Sequence, residues 1–422
     1  MISKNRKHSQ YKNLGHSDVG NYFRKPKKTR AEVDAENKIG QFFTEGLNKI
    51  VWLFHYLTHR FGPKAPYPKY DTKNTGVHTI VNHNHIRTTV GLVFDWATDT
   101  YESDVIASNI ASHHPHYTIH GGDTYFVGDD EEIYENFLAP HSSWHRGSHG
   151  SFAIAGNHEM YSKGHAFYKN LLPSLGIKNN DGKFDGQQAG YFCLQNDHWR
   201  IIGLDTGYNS IGKIPIIEML PWFAPDCQLH NDIILWLQNV VKINDKNDTR
   251  GIVIITHHPY FTTFKGKSDT IAPAIQLSKI IGTHKPIIWL WGHEHKLSLY
   301  AKHQLDGGVT CYGRCMGHGG MPVELEAKHF VPDKSKPAYK KLIAYDNRNS
   351  NISSESNLGY NGYAMLDLEK EKLTIKYYDI ERYLLAEEWK HNMDGTIEGR
   401  MIVDDFCPIS TMNDKEWEDA VK

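Results

Sequence analysis

Five short clusters in this sequence carry the side chains that bind first-row metals: Phe94-Asp95-Trp96-Ala97, Gly122-Asp123-Thr124-Tyr125, Gly156-Asn157-His158-Glu159, His257-His258-Pro259 and Gly292-His293-Glu294-His295. Carboxylate oxygen together with imidazole nitrogen suits cations such as Zn, Mn, Fe or Ni, and the lack of clustered thiolates argues against a structural zinc site. Glycines precede several of these residues, so the backbone can turn sharply and aim the next side chain inward. Any one cluster would carry little weight. Their repetition in a common setting carries more.

That setting is the end of an apolar run. The predicted strands are TTVGLVF before Asp95, HYTIH before Gly121, SFAIA before Gly156, WRIIGL before Asp205, GIVIIT before His257 and PIIWLW before Gly292. Between them Val105, Ile106 and Ile110, and later Leu229, Ile233, Ile234, Leu237, Val240 and Val241, recur at helical spacing. Strands alternating with helices imply a layered α/β domain, in which ligands gather beyond the carboxyl ends of the strands. The sequence divides into an N-terminal extension over residues 1–85, an α/β domain over 86–380 and a C-terminal extension over 381–422. The first holds a predicted amphipathic helix over Ala31–Phe61 and the segment PKAPYPK; the last mixes helical and loop signals. GYAMLDLEKEKLTIKYYDI reads as a hairpin suited to a sheet edge.

Composition narrows the function classes. With 422 residues, 23% charged, 39% hydrophobic and a net charge of -2, the chain has the profile of a folded protein with no charge-selected partner. The dense basic run Arg24–Arg30 reads as a solvated tail, so no nucleic acid is expected as a partner. Five widely spaced cysteines, Cys193, Cys227, Cys311, Cys315 and Cys407, fit reduced thiols, with Cys311 and Cys315 read as packing residues. No apolar stretch after the basic start resembles an export signal, and the longest apolar run, Ile50–Leu57, is too short to cross a bilayer. A cytoplasmic location is the expectation.

Taken in order, the clusters resemble the blocks D-x-H, G-D, G-N-H-[DE], H-x-P and G-H-x-H of the calcineurin-like metallophosphoesterase superfamily, with partial similarity to purple acid phosphatases. The resemblance spans Asp95 to His295. It implies a metallophosphoesterase-type β-sandwich core flanked by helices, two divalent or mixed-valence ions (Mn, Zn or Fe), and hydrolysis of a phosphate ester by a metal-bound hydroxide. It also implies roles: Asp123 bridges the two metals, Asn157, His257 and His293 complete the second site, Asp95 and His295 serve the first, and His158 acts near the leaving-group oxygen. His258, Glu159 and Glu294 are read as supporting residues.

The sequence also departs from the pattern. The family's first block ends in His, and here that position is Ala97. Purple acid phosphatases replace this ligand with a Tyr three residues after the bridging Asp, where this chain has Phe126, with Tyr125 one residue earlier. Tyr125, Asp99 or a water could fill the place, or the first site is weakly occupied. The segment GDTYFVGDD lacks the G-D-x-V-D-R-G signature of protein Ser/Thr phosphatases, which excludes an enzyme of that type. Two other functions stay open: a catalytically degenerate metal-binding scaffold, and a nuclease on the same fold. Arg314 and His318, in GRCMGHGGMP, either contact substrate phosphate or belong to a Gly-rich connection with a solvated His.

Overall fold

The structure, a computed structural model, describes residues 62–80, 87–98, 100–140, 142–212, 225–265, 268–325, 331–350 and 357–411. The expected helix over Ala31–Phe61 lies outside these, as does Asp99. In chain order the elements are β1 (Val77–Thr79), β2 (Thr88–Val93), α1 (Tyr101–Ser112), β3 (Tyr117–His120), β4 (Gly150–Ala153), α2 (Asn157–Tyr161), β5 (Gly176–Ile177), β6 (Phe192–Gln195) and β7 (Trp199–Gly203). There follow α3 (Asn231–Trp236), β8 (Gly251–Thr256), α4 (Ile271–Ile281), β9 (Ile287–Trp291), β10 (Leu297–His303), β11 (Cys311–Met316) and β12 (Leu342–Tyr345). The last strands are β13 (Gly362–Glu369), β14 (Lys372–Asp379), β15 (Tyr383–His391), β16 (Ile397–Ile402) and β17 (Ser410–Thr411).

All six strands predicted ahead of the polar clusters form, and the reason is visible in their packing. Successive residues point to opposite faces, and both faces are covered. Ile201, Val253, Ile255, Ile288 and Leu290 fill the core between two sheets, whereas Ile202, Ile252, Ile254, Ile287 and Trp289 face a second apolar layer beneath α3 and α4. A strand buried on both sides must be apolar throughout, so its sequence shows an unbroken run. Each such side chain taken from water contributes about 1.5–3 kcal/mol.

The sheets are ordered β1-β6-β7-β8-β9-β11-β10-β12-β17 and β16-β15-β14-β13-β2-β3-β4-β5. Val90, Leu92, Phe94, Ile119 and Phe152 of the second sheet meet the first sheet across the core; Val93, Ala153 and Ala155 point outward under Val105, Ile106 and Ile110 of α1. The result is a β-sandwich between helical layers. α1 starts where Thr100 accepts a hydrogen bond from the Ser103 backbone N–H at 3.1 Å while its own N–H is bound by Ser103 Oγ, and α4 ends at Gly282, whose φ of 86° a β-carbon would resist. Strands β2, β3 and β4 run parallel, as do β7, β8, β9 and β11. Their carboxyl ends form one rim.

Two sequence expectations are corrected here. The hairpin β13–β14 is interior: β13 pairs with β2, and β14 pairs with β15. The stretch read as an extension beyond residue 380 supplies β15 and β16, which cover the outer side of that hairpin. Likewise β1, from the N-terminal stretch, pairs with β6. Among the described residues no helix is long and apolar enough to cross a membrane.

Arg314 lies on β11 with no exposed surface, so it is not at a substrate-accessible position. Its Nε donates to Glu387 Oε2 at 2.8 Å, its Nη2 donates to Glu387 Oε1, and Tyr377 Oη adds a further donor to the same carboxylate at 2.8 Å. This pair joins the two sheets. Removing one partner of a buried pair strands the other charge, whereas replacing both by apolar groups can be close to neutral. Arg314→Met is therefore expected to lower the unfolding free energy by about 3–5 kcal/mol, and Arg314→Met combined with Glu387→Leu to recover most of that loss. Urea denaturation of the three proteins checks it.

Candidate metal centre

Every predicted ligand sits on a loop leaving the rim of parallel strands: Asp95 after β2, Asp123 after β3, Asn157 after β4 at the start of α2, His257 after β8, and His293 and His295 after β9. Asp95, Asp123 and His293 have positive φ values of 54°, 70° and 65°. Backbone held in this region costs of order 1–3 kcal/mol per residue and persists where the surroundings dictate it. Here it turns three side chains off the strand direction into one space.

The six residues come together as a connected set. His257 Nε2 lies 3.1 Å from Asp123 Oδ2, and His295 Nε2 lies 3.6 Å from Asp95 Oδ1. The His293 backbone N–H donates to Asp95 Oδ2 at 2.9 Å, and His293 Nδ1 is 2.9 Å from Asn157 Oδ1. Asp95, Asp123 and His257 each offer a ligand atom within 4.8 Å of the others, and all three are buried.

Tyr125 closes the set. Its hydroxyl donates to Asp95 Oδ1 at 2.8 Å, approaches Asp123 Oδ2 at 3.2 Å and lies 3.0 Å from His295 Nε2. Ala97 packs instead into the apolar layer beside Trp96 and Ile106. Burial, and then the charges of Asp95 and Asp123, push the Tyr125 phenol well above its usual range. Phe126, at the position where purple acid phosphatases carry Tyr, offers its carbonyl to His158 Nδ1 at 2.6 Å.

Close approach explains the glycines. A β-carbon on Gly156 would collide with the Asp123 carboxylate and come within 2.8 Å of the His257 ring, and one on Gly122 would fall 2.7 Å from the Gly156 nitrogen. Glu159 binds the loops from behind, accepting the backbone N–H groups of Gly156 at 2.7 Å, Asp123 at 3.1 Å and Thr124 at 2.6 Å. Burial and the charge of Asp123 push the Glu159 carboxyl up to about 7, and the Gly156 N–H opposes that rise.

The donor set fits a cation. His257 Nδ1 faces the Gly121 carbonyl at 3.1 Å, an acceptor only, so in the neutral ring the proton is on that nitrogen and Nε2 carries the lone pair. Nε2 is buried without a hydrogen-bond partner, its neighbour being Asp123. Burial opposes a charge on His257, yet Asp123 and Asp95 outweigh it and raise the imidazole to about 9; burial likewise opposes ionisation of Asp123, which His257 and His158 hold well below the usual carboxylate range. The pocket attracts positive charge, and a metal ion would occupy the place of that proton.

Sequence reasoning missed Thr206. It follows Asp205 at the end of β7, the one predicted strand end assigned no ligand, and the shared rim was the available signal. Thr206 Oγ1 accepts the His258 backbone N–H at 3.2 Å and lies 2.9 Å from His258 Nδ1. If Nδ1 carried the proton, the fully buried hydroxyl would be left with its own hydrogen unpaired among the described residues, at a cost of about 1–3 kcal/mol. The hydroxyl thus donates to Nδ1, and the His258 proton is on Nε2. His318, the other residue considered for substrate contact, is 2% exposed and packed against Gly362, so it is neither solvated nor at the rim opening.

A two-sheet sandwich with oxygen and nitrogen ligands on the carboxyl rim is the architecture of a metal-dependent phosphoesterase. Residues 84–297 match the calcineurin-like phosphoesterase family, and the chain belongs to it. Similar solved structures include GAP50, the anchor in the inner membrane complex of Plasmodium, at 12% identity over 70% of this chain and 85% of that one, with a TM-score of 0.44. PhoD is similar at 11% identity over 85% and 77% of the two chains, TM-score 0.47, and vacuolar protein sorting 29 from Cryptosporidium parvum at 14% over 77% and 99%, TM-score 0.27. At these scores none of them bears on function. No curated protein sequence matches the chain significantly.

Glu159 orients two ligand loops without reaching the pocket. Glu159→Gln, which turns one acceptor into a donor facing backbone N–H groups, is expected to weaken metal affinity about 10–100-fold, measured by competition with a chromogenic chelator.

Proposed function

We propose that the chain hydrolyses a phosphate ester at a binuclear metal centre. The observation that carries this reading is the convergence of Asp95, Asp123 and His257 within 4.8 Å, buried and adjoined by Asn157, His293 and His295. Asp123 has one oxygen toward His257 and one accepting the His158 N–H at 2.9 Å, a placement suited to a carboxylate shared between two cations. Asn157, His257 and His293 form the second site. Asp95 and His295 form the first, with the Tyr125 oxygen 2.8 Å from Asp95 Oδ1 and 3.0 Å from His295 Nε2.

Bound cations would supply an acidified water as nucleophile and positive charge against the phosphate oxygens. The residues do the rest. Asn157 and His293 hold each other in place through their 2.9 Å contact. His158 is the group for the leaving oxygen. Its Nδ1–H is fixed on the Phe126 carbonyl, which leaves Nε2, 3.8 Å from Asp123 Oδ2, as the nitrogen facing the leaving oxygen, able to give it a proton from the doubly protonated ring, which burial disfavours and the Asp123 charge favours. Its side chain is 18% exposed, so it borders both the pocket and solvent, as a group meeting a departing alcohol must.

What supports an active enzyme over a scaffold is that Asp123, His257, His293, Asn157 and His158 lie together at one rim. Asp123→Asn is expected to lose metal and all turnover of a chromogenic phosphomonoester, whereas His158→Asn keeps its metal and loses about 10²–10⁴-fold in kcat. Full activity in Asp123→Asn, with its metal content unchanged, overturns the assignment. Tyr125→Phe is expected to lower metal content by up to one ion per chain, by elemental analysis, with His257-side binding retained; unchanged content removes Tyr125 from the ligand set.

A further inference from the structure

The loop after β8 carries a second imidazole that the hydrolysis described above leaves without a task. His258 is 6% exposed, and its ring lies 4.9 Å from that of His293 and 5.0 Å from that of His257. One ring nitrogen of each of these three histidines falls within 4.8 Å of the other two, which at first suggests a third ligand for the second site. The hydrogen bonds argue otherwise. Thr206 Oγ1 accepts from the His258 backbone and donates to Nδ1, so the remaining ring nitrogen, Nε2, bears the hydrogen. A protonated nitrogen has no lone pair for a cation. What it has is a directed N–H, and among the described residues Nε2 meets no acceptor. A donor beside a metal pocket is paired when an anionic oxygen arrives.

We propose that His258 is a substrate-binding residue: its Nε2–H donates to a non-bridging oxygen of the phosphoryl group, and Thr206 is the positioning residue that sets the tautomer. The inference rests on the phosphoesterase reading for the identity of the anion. It gives β7, a rim strand that carries no ligand, a part in the site. It also separates the two adjacent histidines by function. His257 is held by a carbonyl and so presents a lone pair, whereas His258 is held by a hydroxyl donor and so presents a proton.

The test is calorimetric titration of inorganic phosphate into manganese-loaded protein, with metal content measured on the same samples. His258→Ala is expected to retain its metal and bind phosphate about tenfold more weakly. His258→Gln, which restores a side-chain N–H, recovers part of the affinity and guards against a folding defect in the alanine variant. Thr206→Val gives an intermediate loss, and Thr206→Ser returns to the wild-type value. Loss of a metal equivalent in both His258 variants shows that His258 is a ligand and overturns the proposal, as does unchanged phosphate affinity in His258→Ala. A wild-type protein that binds phosphate yet turns over no ester sinks the hydrolytic reading alone, and the variants still decide the role of His258. A wild-type protein that binds no phosphate overturns the proposal outright.

Discussion

Two carboxylates, Asp95 and Asp123, are buried side by side at the junction of two sheets, and the rest of the molecule is arranged around that electrostatic demand. Negative charges this close in a low-dielectric setting repel strongly unless positive charge or hydrogen-bond donors intervene. The protein supplies part of the answer. The Tyr125 hydroxyl spans both carboxylates, the backbone N–H groups of His158 and His293 each donate to one of them, and His257 draws a proton toward Asp123. In the proposed reading cations would complete it.

Holding such a site needs a frame that resists relaxation. A single sheet could present ligands from one row of loops; the sandwich brings the carboxyl rims of two sheets against each other, so that His257 and His293 from one face Asp95, Asp123 and Asn157 from the other. The frame is stiff because its apolar strands are packed on both faces and its sheets are cross-linked by the buried Arg314–Glu387 pair. That stiffness sustains left-handed backbone at three ligand positions and the close contacts at Gly122 and Gly156.

Legibility in the sequence followed burial. Parallel strands covered on both faces read as unbroken apolar runs, and the residues just past them are the ligand candidates, so six strands, and six residues that the fold brings together, could be named without coordinates. β15 could not. Its sequence, YLLAEEWKH, is rich in helix formers, yet it pairs with β14 and β16, because Glu387 finds Arg314 across the core and Trp389 and Leu385 fill it. The partner lies 73 positions away, and no local pattern announces it. Thr206 and the tautomer of His258 were hidden for the same reason. A hydroxyl's role depends on which acceptor it meets, and that is a property of the fold.

The substitution at Ala97 and the presence of Tyr125 are one feature seen from two sides. Ala97 forms a parallel bridge with Thr124, and its carbonyl accepts the Tyr125 N–H at 2.9 Å. This pairing locks the two loops in register, directs the Ala97 methyl into the apolar layer, and turns the next side chain on the opposing loop, Tyr125, inward over both carboxylates. In the proposed reading the Tyr125 oxygen would serve the first site in place of the family's histidine. On that reading the Tyr125 phenol, whose hydroxyl faces two carboxylates, would give up its proton to bind a cation. Occupancy of the first site is then coupled to release of the Tyr125 proton, a linkage that a neutral imidazole at the same place would not impose.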